Sequence, residues 1–397
     1  MYGCRRPPPR PGATIAQDRV AVYFYQPMPL AMPNSPATRR RMRWRALRYA
    51  TSLAGPTMAF FGVAGQGLEC WAFPLFGFVF IPFLELFLKP RHRVLSDIEE
   101  EAALQDPVFD LLLYAFVPLQ WFILFRFLAH VNDPGLAGWD LMGRIATMGM
   151  MCGIYGINVA HELGHRRLRW ERDLARTLLL SSLYMHFIIE HNRGHHARVA
   201  TPDDPASARE DESLYTFWFR SVVFSFLSAW RIEVVRLRKE GRPPFGLGNE
   251  MVRFLVIEVL LIVGIAWLFG TMALACFLAA ALIGILLLET VNYIEHYGLR
   301  RRLNDTGHYH RVQHVHSWNS DLLPGRLMLF ELTRHSDHHY KASKKYQVLR
   351  SLDVGPQLPT GYPGMMLLSL VPPLWFKVVN PIVERLRKSH AELDVAR

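Results

Sequence analysis

Nine histidines in this 397-residue chain fall into four short motifs. HELGH carries His161 and His165, and EHNRGHH carries His191, His195 and His196. NYIEHYGL carries His296, and LTRHSDHH carries His335, His338 and His339. The i, i+4 spacing in the first motif and the i, i+3, i+4 spacing in the last place each set on one face of a helix. So many clustered imidazoles would repel one another if protonated, and would each need a partner if buried neutral. Metal ligation answers both, since neutral imidazole is the commonest metal ligand. Nine ligands are too many for one metal and suit two sites with open positions for oxygen and water. Imidazole accepts Zn, Cu, Fe and Ni alike, so ligand type does not choose among them.

Each motif also carries an acid: Glu162, Glu190, Glu295 and Asp337. Their expected role is to accept the free ring N–H and fix the tautomer, or to relay protons. Direct ligation stays open, with Glu295 the first candidate. His92, His130 and His390 read as caps of backbone carbonyls or headgroup contacts, and so does His186. His308, His310, His314 and His316 read as a polar surface loop, in which His314 or His316 could instead line the site.

The elements that must position these motifs are apolar blocks. Hydrophobic residues make up 51% of the chain and aromatics 12%, against 20% charged. Six segments run from Leu47 to Gln66, Cys70 to Leu88, Phe109 to Val131, Leu141 to Ala160, Phe254 to Gly270 and Thr271 to Tyr293. Most approach the roughly 20 residues a helix needs to cross a bilayer. Short turns at Gly67-Leu68-Glu69, at Asn132-Asp133-Pro134-Gly135 and near Phe269-Gly270 pair them. The expectation is an all-α integral membrane protein, with six transmembrane helices as three hairpins under a histidine-rich cap.

Arg39, Arg40, Arg41, Arg43, Arg45 and Arg48 precede the first segment, and Lys89, Arg91 and Arg93 follow the second. Arg166, Arg167, Arg169 and Arg172 follow the fourth, and Arg300, Arg301 and Arg302 the sixth. The hairpin turns carry no Lys or Arg, which puts both termini and the histidine cap in the cytoplasm. Arg126 and Arg144, near the outer ends, weigh weakly against this. Leu174–Ile189 and Met365–Val379 read as membrane-associated helices, the second broken by Pro372-Pro373. Residues 1–42, rich in Pro and Arg, read as a disordered tail or an overextended start, and residues 43–397 as one membrane-embedded domain.

The net charge of +11 flanks the apolar blocks, which argues for membrane topology and against nucleic acid. Cys4, Cys70, Cys152 and Cys276 are far apart, and no C-x-x-C exists to hold a fused iron–sulfur or zinc centre. HELGH also matches the zinc-protease motif H-E-x-x-H, with Glu162 as base. A zinc protease needs one further ligand and leaves some six clustered histidines without a purpose. Haem binding or metal transport would place histidines inside the spans, where almost none occur.

HELGHR, EHNRGHH, NYIEHYGL and LTRHSDHH, in that order, resemble the membrane-bound alkane 1-monooxygenases, within the membrane fatty-acid desaturase and hydroxylase group. The resemblance runs from about Arg45 to Pro381 and includes HSWNS (His316–Ser320), YQVLR (Tyr346–Arg350) and LPTGYPGM (Leu358–Met365). HELGHR stands where HELGHK is usual, and LTRHSDHH where LQRHSDHH is. The resemblance implies a bacterial inner-membrane protein with two non-haem iron ions, hydroxylating alkanes terminally with O2. It also implies electrons from rubredoxin, itself served by a rubredoxin reductase. Hydroxylation of alkyl side chains, as in the xylene-type enzymes, and fatty-acyl hydroxylation or desaturation are the neighbouring readings. An acidic rubredoxin would meet a basic face, for which Arg166, Arg167, Arg300, Arg301, Arg302, Lys341, Lys344 and Lys345 are the candidates. An alkane would enter from the bilayer into an apolar tunnel, where Gly62 and Gly77 are the positions at which bulk would limit chain length.

Overall fold

The computed structural model describes residues 35–395, and among them there is no strand, only isolated bridges joining Leu303 to Tyr309 and Asn319 to Gln357. Residues 1–34, with most of the expected tail and Cys4, lie outside the described residues. Helix α1 (Pro36–Arg48) begins inside the stretch expected to be tail. Ser35 caps it by accepting from the Thr38 amide at 3.1 Å, and Pro36 suits its first turn.

A 3-10 segment, Tyr49–Leu53, joins α1 to α2 (Ala54–Gly62). Pro56 cannot donate to the Ser52 carbonyl one turn back, and that carbonyl is taken instead by the Tyr155 hydroxyl at 2.7 Å. The next apolar helix is α3 (Ala72–Leu75), a π-helical segment Phe76–Phe80, and α4 (Ile81–Glu85). After α5 (Asp97–Gln105) comes α6 (Val108–His130), a single helix of 23 residues. The fourth apolar block is α7 (Gly138–Met150), a π-helical segment Met151–Ile157, and α8 (Asn158–Gly164). Then follow α9 (Arg169–Leu180), α10 (Phe187–Ile189), a third π-helical segment Glu190–His195, and α11 (His196–Arg198).

Helix α12 (Leu214–Lys239) was not foreseen as an element. Its buried face reads Leu214, Phe217, Ser221, Ser225, Ala229, Glu233, Leu237. Small and polar residues every fourth position leave no apolar block to notice. The last two apolar blocks form α13 (Glu250–His296), which turns at Gly270, where φ is 85°. A residue with a Cβ is strained there, and glycine is not. The chain closes with α14 (Leu323–Met328), α15 (His335–Tyr340), α16 (Tyr362–Ser369) and α17 (Pro372–Val395).

Two of the described helices, α6 and α13, are long and apolar enough to cross a membrane by length and composition. Ala72–Glu85 is apolar but shorter. The Leu174–Ile189 stretch is not one helix: α9 stops at Leu180, and Leu183 turns the chain with φ of 51° before α10. Likewise Met365–Val379 is divided between α16 and α17, with Pro372 starting the second.

Helix α13 packs along α7 and the Met151–Ile157 segment. The contact is close because Gly153 and Gly284 face each other: a Cβ on Gly284 would lie 2.5 Å from the Cys152 Cβ. This contact brings the ends of α8 and α13, and so HELGH and His296, to the same level.

Candidate metal centre

The nine histidines come from α8 and its C-cap His165, the Glu190–His195 segment with His196, the end of α13, and α15. They meet as two groups, His161, His165, His191, His196 and His338 in one, and His195, His296, His335 and His339 in the other. Within each group the candidate ligand atoms lie within 4.8 Å of one another. In the first, Nε2 atoms stand 3.0 Å apart between His161 and His338, and 3.2 Å between His338 and His196. His196 to His191 is 3.0 Å, and His191 to His165 is 3.1 Å. In the second, His195 to His339 is 3.2 Å, His339 to His335 is 2.9 Å and His335 to His296 is 3.2 Å.

A neutral imidazole has one N–H, so a continuous chain of Nε2 atoms cannot be satisfied by hydrogen bonds among themselves. A shared cation satisfies all of them. Nitrogens about 2.1 Å from one ion lie about 3.0 Å apart at right angles and about 3.4 Å apart at tetrahedral angles. The observed spacings match the right-angled case, and five nitrogens exceed the four ligands of tetrahedral zinc. Burial, then the neighbouring imidazoles, push the ring pKa values of His161, His191, His196, His335, His338 and His339 well down, and that of His165 to about 3. These rings are therefore neutral at pH 7, the form that binds metal.

The elements are fixed by buried ion pairs. Arg334, next to His335, donates to Asp321 at 3.1 Å and to the Leu349 carbonyl at 2.6 Å. Arg326 binds Glu331 at 2.7 Å, and the Tyr49 hydroxyl binds the same carboxylate. HSWNS staples α13 to α15: the Trp318 amide donates to the Glu295 carbonyl at 2.8 Å, and Asn319 accepts from the Ser336 amide at 2.9 Å.

The acids divide differently from expectation. Glu295 does reach the second group, 3.1 Å from His335 Nε2, and accepts from the Tyr362 hydroxyl at 2.9 Å. Glu162 instead pairs with Arg166 at 2.9 Å and accepts from the Tyr346 amide at 3.2 Å. Engaged this way, it is not placed as the base of a zinc protease. Glu190 takes Arg198 at 2.7 Å. Asp337 takes Lys344 at 2.8 Å and the Arg350 amide at 2.9 Å, with His314 at 3.4 Å. The acid that does orient a ring is Asp204, unmarked in the sequence reading, whose carboxylate lies 2.8 Å from His195 Nδ1. The only signal was its place in the Pro-flanked acidic pair just after EHNRGHH.

The remaining histidines stay outside both groups. His92 meets Ser351 and Asp321, His130 bonds the Arg126 carbonyl, and His314 stacks on Tyr340. His308 and His310 are exposed, and His316 accepts from the Gln313 amide. His186 is buried and lines a small pocket shared with Glu190, and its Nε2 has no hydrogen-bond partner among the described residues. The His390 side chain lies outside the described residues.

An apolar cavity of about 80 Å³ includes in its walls Asn158, one helical turn before His161. Phe73, Phe76, Gly77, Met150, Ile154 and Leu288 are among its walls. Two π-helical segments, Phe76–Phe80 and Met151–Ile157, contribute to it, consistent with wide turns gathering at functional sites. Gly77 lines the cavity, but Gly62 does not: a Cβ there would meet the Glu69 carbonyl at 2.9 Å, so it serves helix packing.

Of the cations offered for docking, Arg166 is buried between Glu162 and Asp110. Lys344 is paired with Asp337 and Lys345 with Asp110. Arg301 spends its guanidinium on the Val199 and Ala197 carbonyls, both at 2.7 Å, bracing the chain after the second motif. Arg167, Arg300, Arg302 and Lys341 are exposed.

Residues 137–369 match the family model for fatty acid desaturases. The chain is 47% identical over 248 residues to alkane 1-monooxygenase 1 of Pseudomonas aeruginosa, covering 62% of this chain and 65% of that protein. It is 39% identical over 334 residues to alkane 1-monooxygenase 2 of Alcanivorax borkumensis, covering 83% and 87%. It is 30% identical over 240 residues to the hydroxylase component of the xylene/toluene monooxygenase of Pseudomonas putida, covering 60% and 63%. With its histidine motifs, its helices and these matches taken together, the chain belongs to the fatty acid desaturase family, among the alkane 1-monooxygenases.

Proposed function

We propose that this protein is a membrane-bound alkane 1-monooxygenase that converts a terminal methyl group to a primary alcohol. The observation that carries this reading is the pair of imidazole groups, with an apolar cavity reaching to within one helical turn of His161 along α8. One alkane, one O2, two electrons and two protons give one alcohol and one water. His161, His165, His191, His196 and His338 would hold one iron, and His195, His296, His335 and His339 the other, with Glu295 beside the second. Bound iron would supply the oxidising power to break an unactivated C–H bond, which side chains cannot. The chain's own part is to bind the alkane in the cavity, exclude water from it and hold the rings neutral.

In this reading residues 43–397 form one domain in the bacterial inner membrane, with six helices in three hairpins and both termini and the histidine cap in the cytoplasm. Exposed apolar side chains along α6 and α13, such as Leu111, Phe125, Val259, Val263 and Trp267, support lipid contact. Arg144 fits the outer end because it is buried and bonded to the Gly65, Ala64 and His130 carbonyls and to Asp133. Two electrons per turnover would come from rubredoxin and its reductase, docking near Arg167, Arg300 and Lys341.

The test is incubation of membranes with rubredoxin, its reductase, NADH and an alkane panel, with product alcohols measured. Primary alcohols that require oxygen are expected. No such product across the panel, in protein carrying about two irons per chain, overturns the reading. Gly77→Trp should shift the preferred alkane to shorter chains, because the indole would occupy cavity space now bounded by the flexible end of Met150. An unchanged profile removes Gly77 from the tunnel.

A further inference from the structure

The walls of the apolar cavity include one side-chain amide, Asn158, a helical turn before His161. Its amide nitrogen donates to the Leu329 carbonyl at 3.3 Å, and since a carbonyl can only accept, this fixes which way the amide faces. No described residue donates to the amide oxygen, on a residue only 7% exposed. The other polar wall group, the Tyr362 hydroxyl, already donates to Glu295. An unpaired acceptor in apolar surroundings costs free energy. A hydrocarbon offers it nothing, whereas a hydroxyl can donate to it.

We propose that Asn158 recognises the hydroxyl of a primary alcohol, so that the cavity binds a long-chain alcohol with its O–H on the Asn158 amide oxygen and its chain among Phe73, Phe76, Met150 and Leu288. That places the hydroxyl beside Asn158, one helical turn before His161. The reading of the protein as an alkane hydroxylase explains where such an alcohol arises, and on that reading Asn158 retains the product and lets it compete with the next alkane. The binding itself needs neither oxygen nor electrons.

The experiment uses the metal-loaded protein in lipid nanodiscs under argon, without an electron donor, and measures retention of radiolabelled dodecan-1-ol, dodecyl methyl ether and dodecane above that of empty nanodiscs. The alcohol should bind about tenfold more tightly than the ether, the value of one well-placed hydrogen bond. The ether accepts but cannot donate, so it should bind no better than dodecane. Asn158→Leu should remove the alcohol's advantage over the ether, whatever the new side chain does to the binding of dodecane itself. Equal binding of alcohol and ether in the unaltered protein overturns the proposal, and this comparison stands even where the leucine variant does not fold. So does an alcohol preference that survives Asn158→Leu. Preference for the alcohol in a protein that hydroxylates no alkane would support Asn158 and count only against the hydroxylase reading.

Discussion

At the scale of single residues, the division of labour among carboxylates is set by which atom each one faces. Asp204 holds His195 Nδ1 while also accepting from Ser207 at 2.6 Å, which leaves Nε2 directed at the second group. Asp204→Asn should weaken metal retention about 10- to 100-fold, as loss of a ring-orienting partner usually does. Chelator competition measures it, and unchanged retention would deprive Asp204 of that role. Adjacent residues in α15 feed different groups: His338 the first, His339 the second. If each group holds one ion as proposed, His338→Ala and His339→Ala should each halve the bound metal, measured by metal analysis of the purified variants. If both lost all metal, the two groups would not be separable sites. The histidines were legible because their spacing is local. Asp204 was not, because its approach to His195 depends on a tight turn through Ala200, whose φ is 58°.

Among the elements, the ends of the apolar blocks were legible and their interiors were not. Blocks one, two and four were expected as uninterrupted helices, yet each contains a 3-10 or π-helical segment. Those irregular turns answer to tertiary partners, such as Tyr155 for the Ser52 carbonyl, that no local pattern reveals. Exposure was equally hidden: Arg166, Lys344 and Lys345 read as free cations in a sequence, and their carboxylate partners come from residues far away or across a turn. The helix contact that sets the site's geometry is the approach of Gly284 to Cys152 and Gly153. Gly284→Val would meet backbone there, forcing α13 from α7 and carrying His296 away from His335. Lower metal content and lower thermal stability are expected. Gly264→Val, on the same long helix with nothing within 4 Å of the added carbon, should behave as the unaltered protein. Equal behaviour of the two variants would remove the close contact from the account.

For the whole molecule, the two histidine groups act as a cross-link between regions distant in the chain. Ligands come from α8, from residues 190–196, from the end of α13 and from α15. Without metal, the inner Nε2 atoms of each group have two close Nε2 neighbours and at most one hydrogen between them to share, so not every contact can be a hydrogen bond. Ions bound to the folded state alone stabilise it by about 4 kcal/mol when present at about a thousandfold over their dissociation constant. Their removal should then lower the unfolding temperature by on the order of 10 °C. The metal-free form should also be the more acid-sensitive. Its rings have folded pKa values below the ordinary 6.5, with His165 at about 3, so the unfolded chain binds more protons in that interval. Stability is therefore intact above about pH 6.5 and falls as the pH drops toward 3, whereas ligation in the loaded protein holds the rings unprotonated further into acid. Thermal unfolding of loaded and chelator-treated protein between pH 7.5 and 5 measures both effects. Parallel curves with no offset would mean that the histidine groups do not carry the metal.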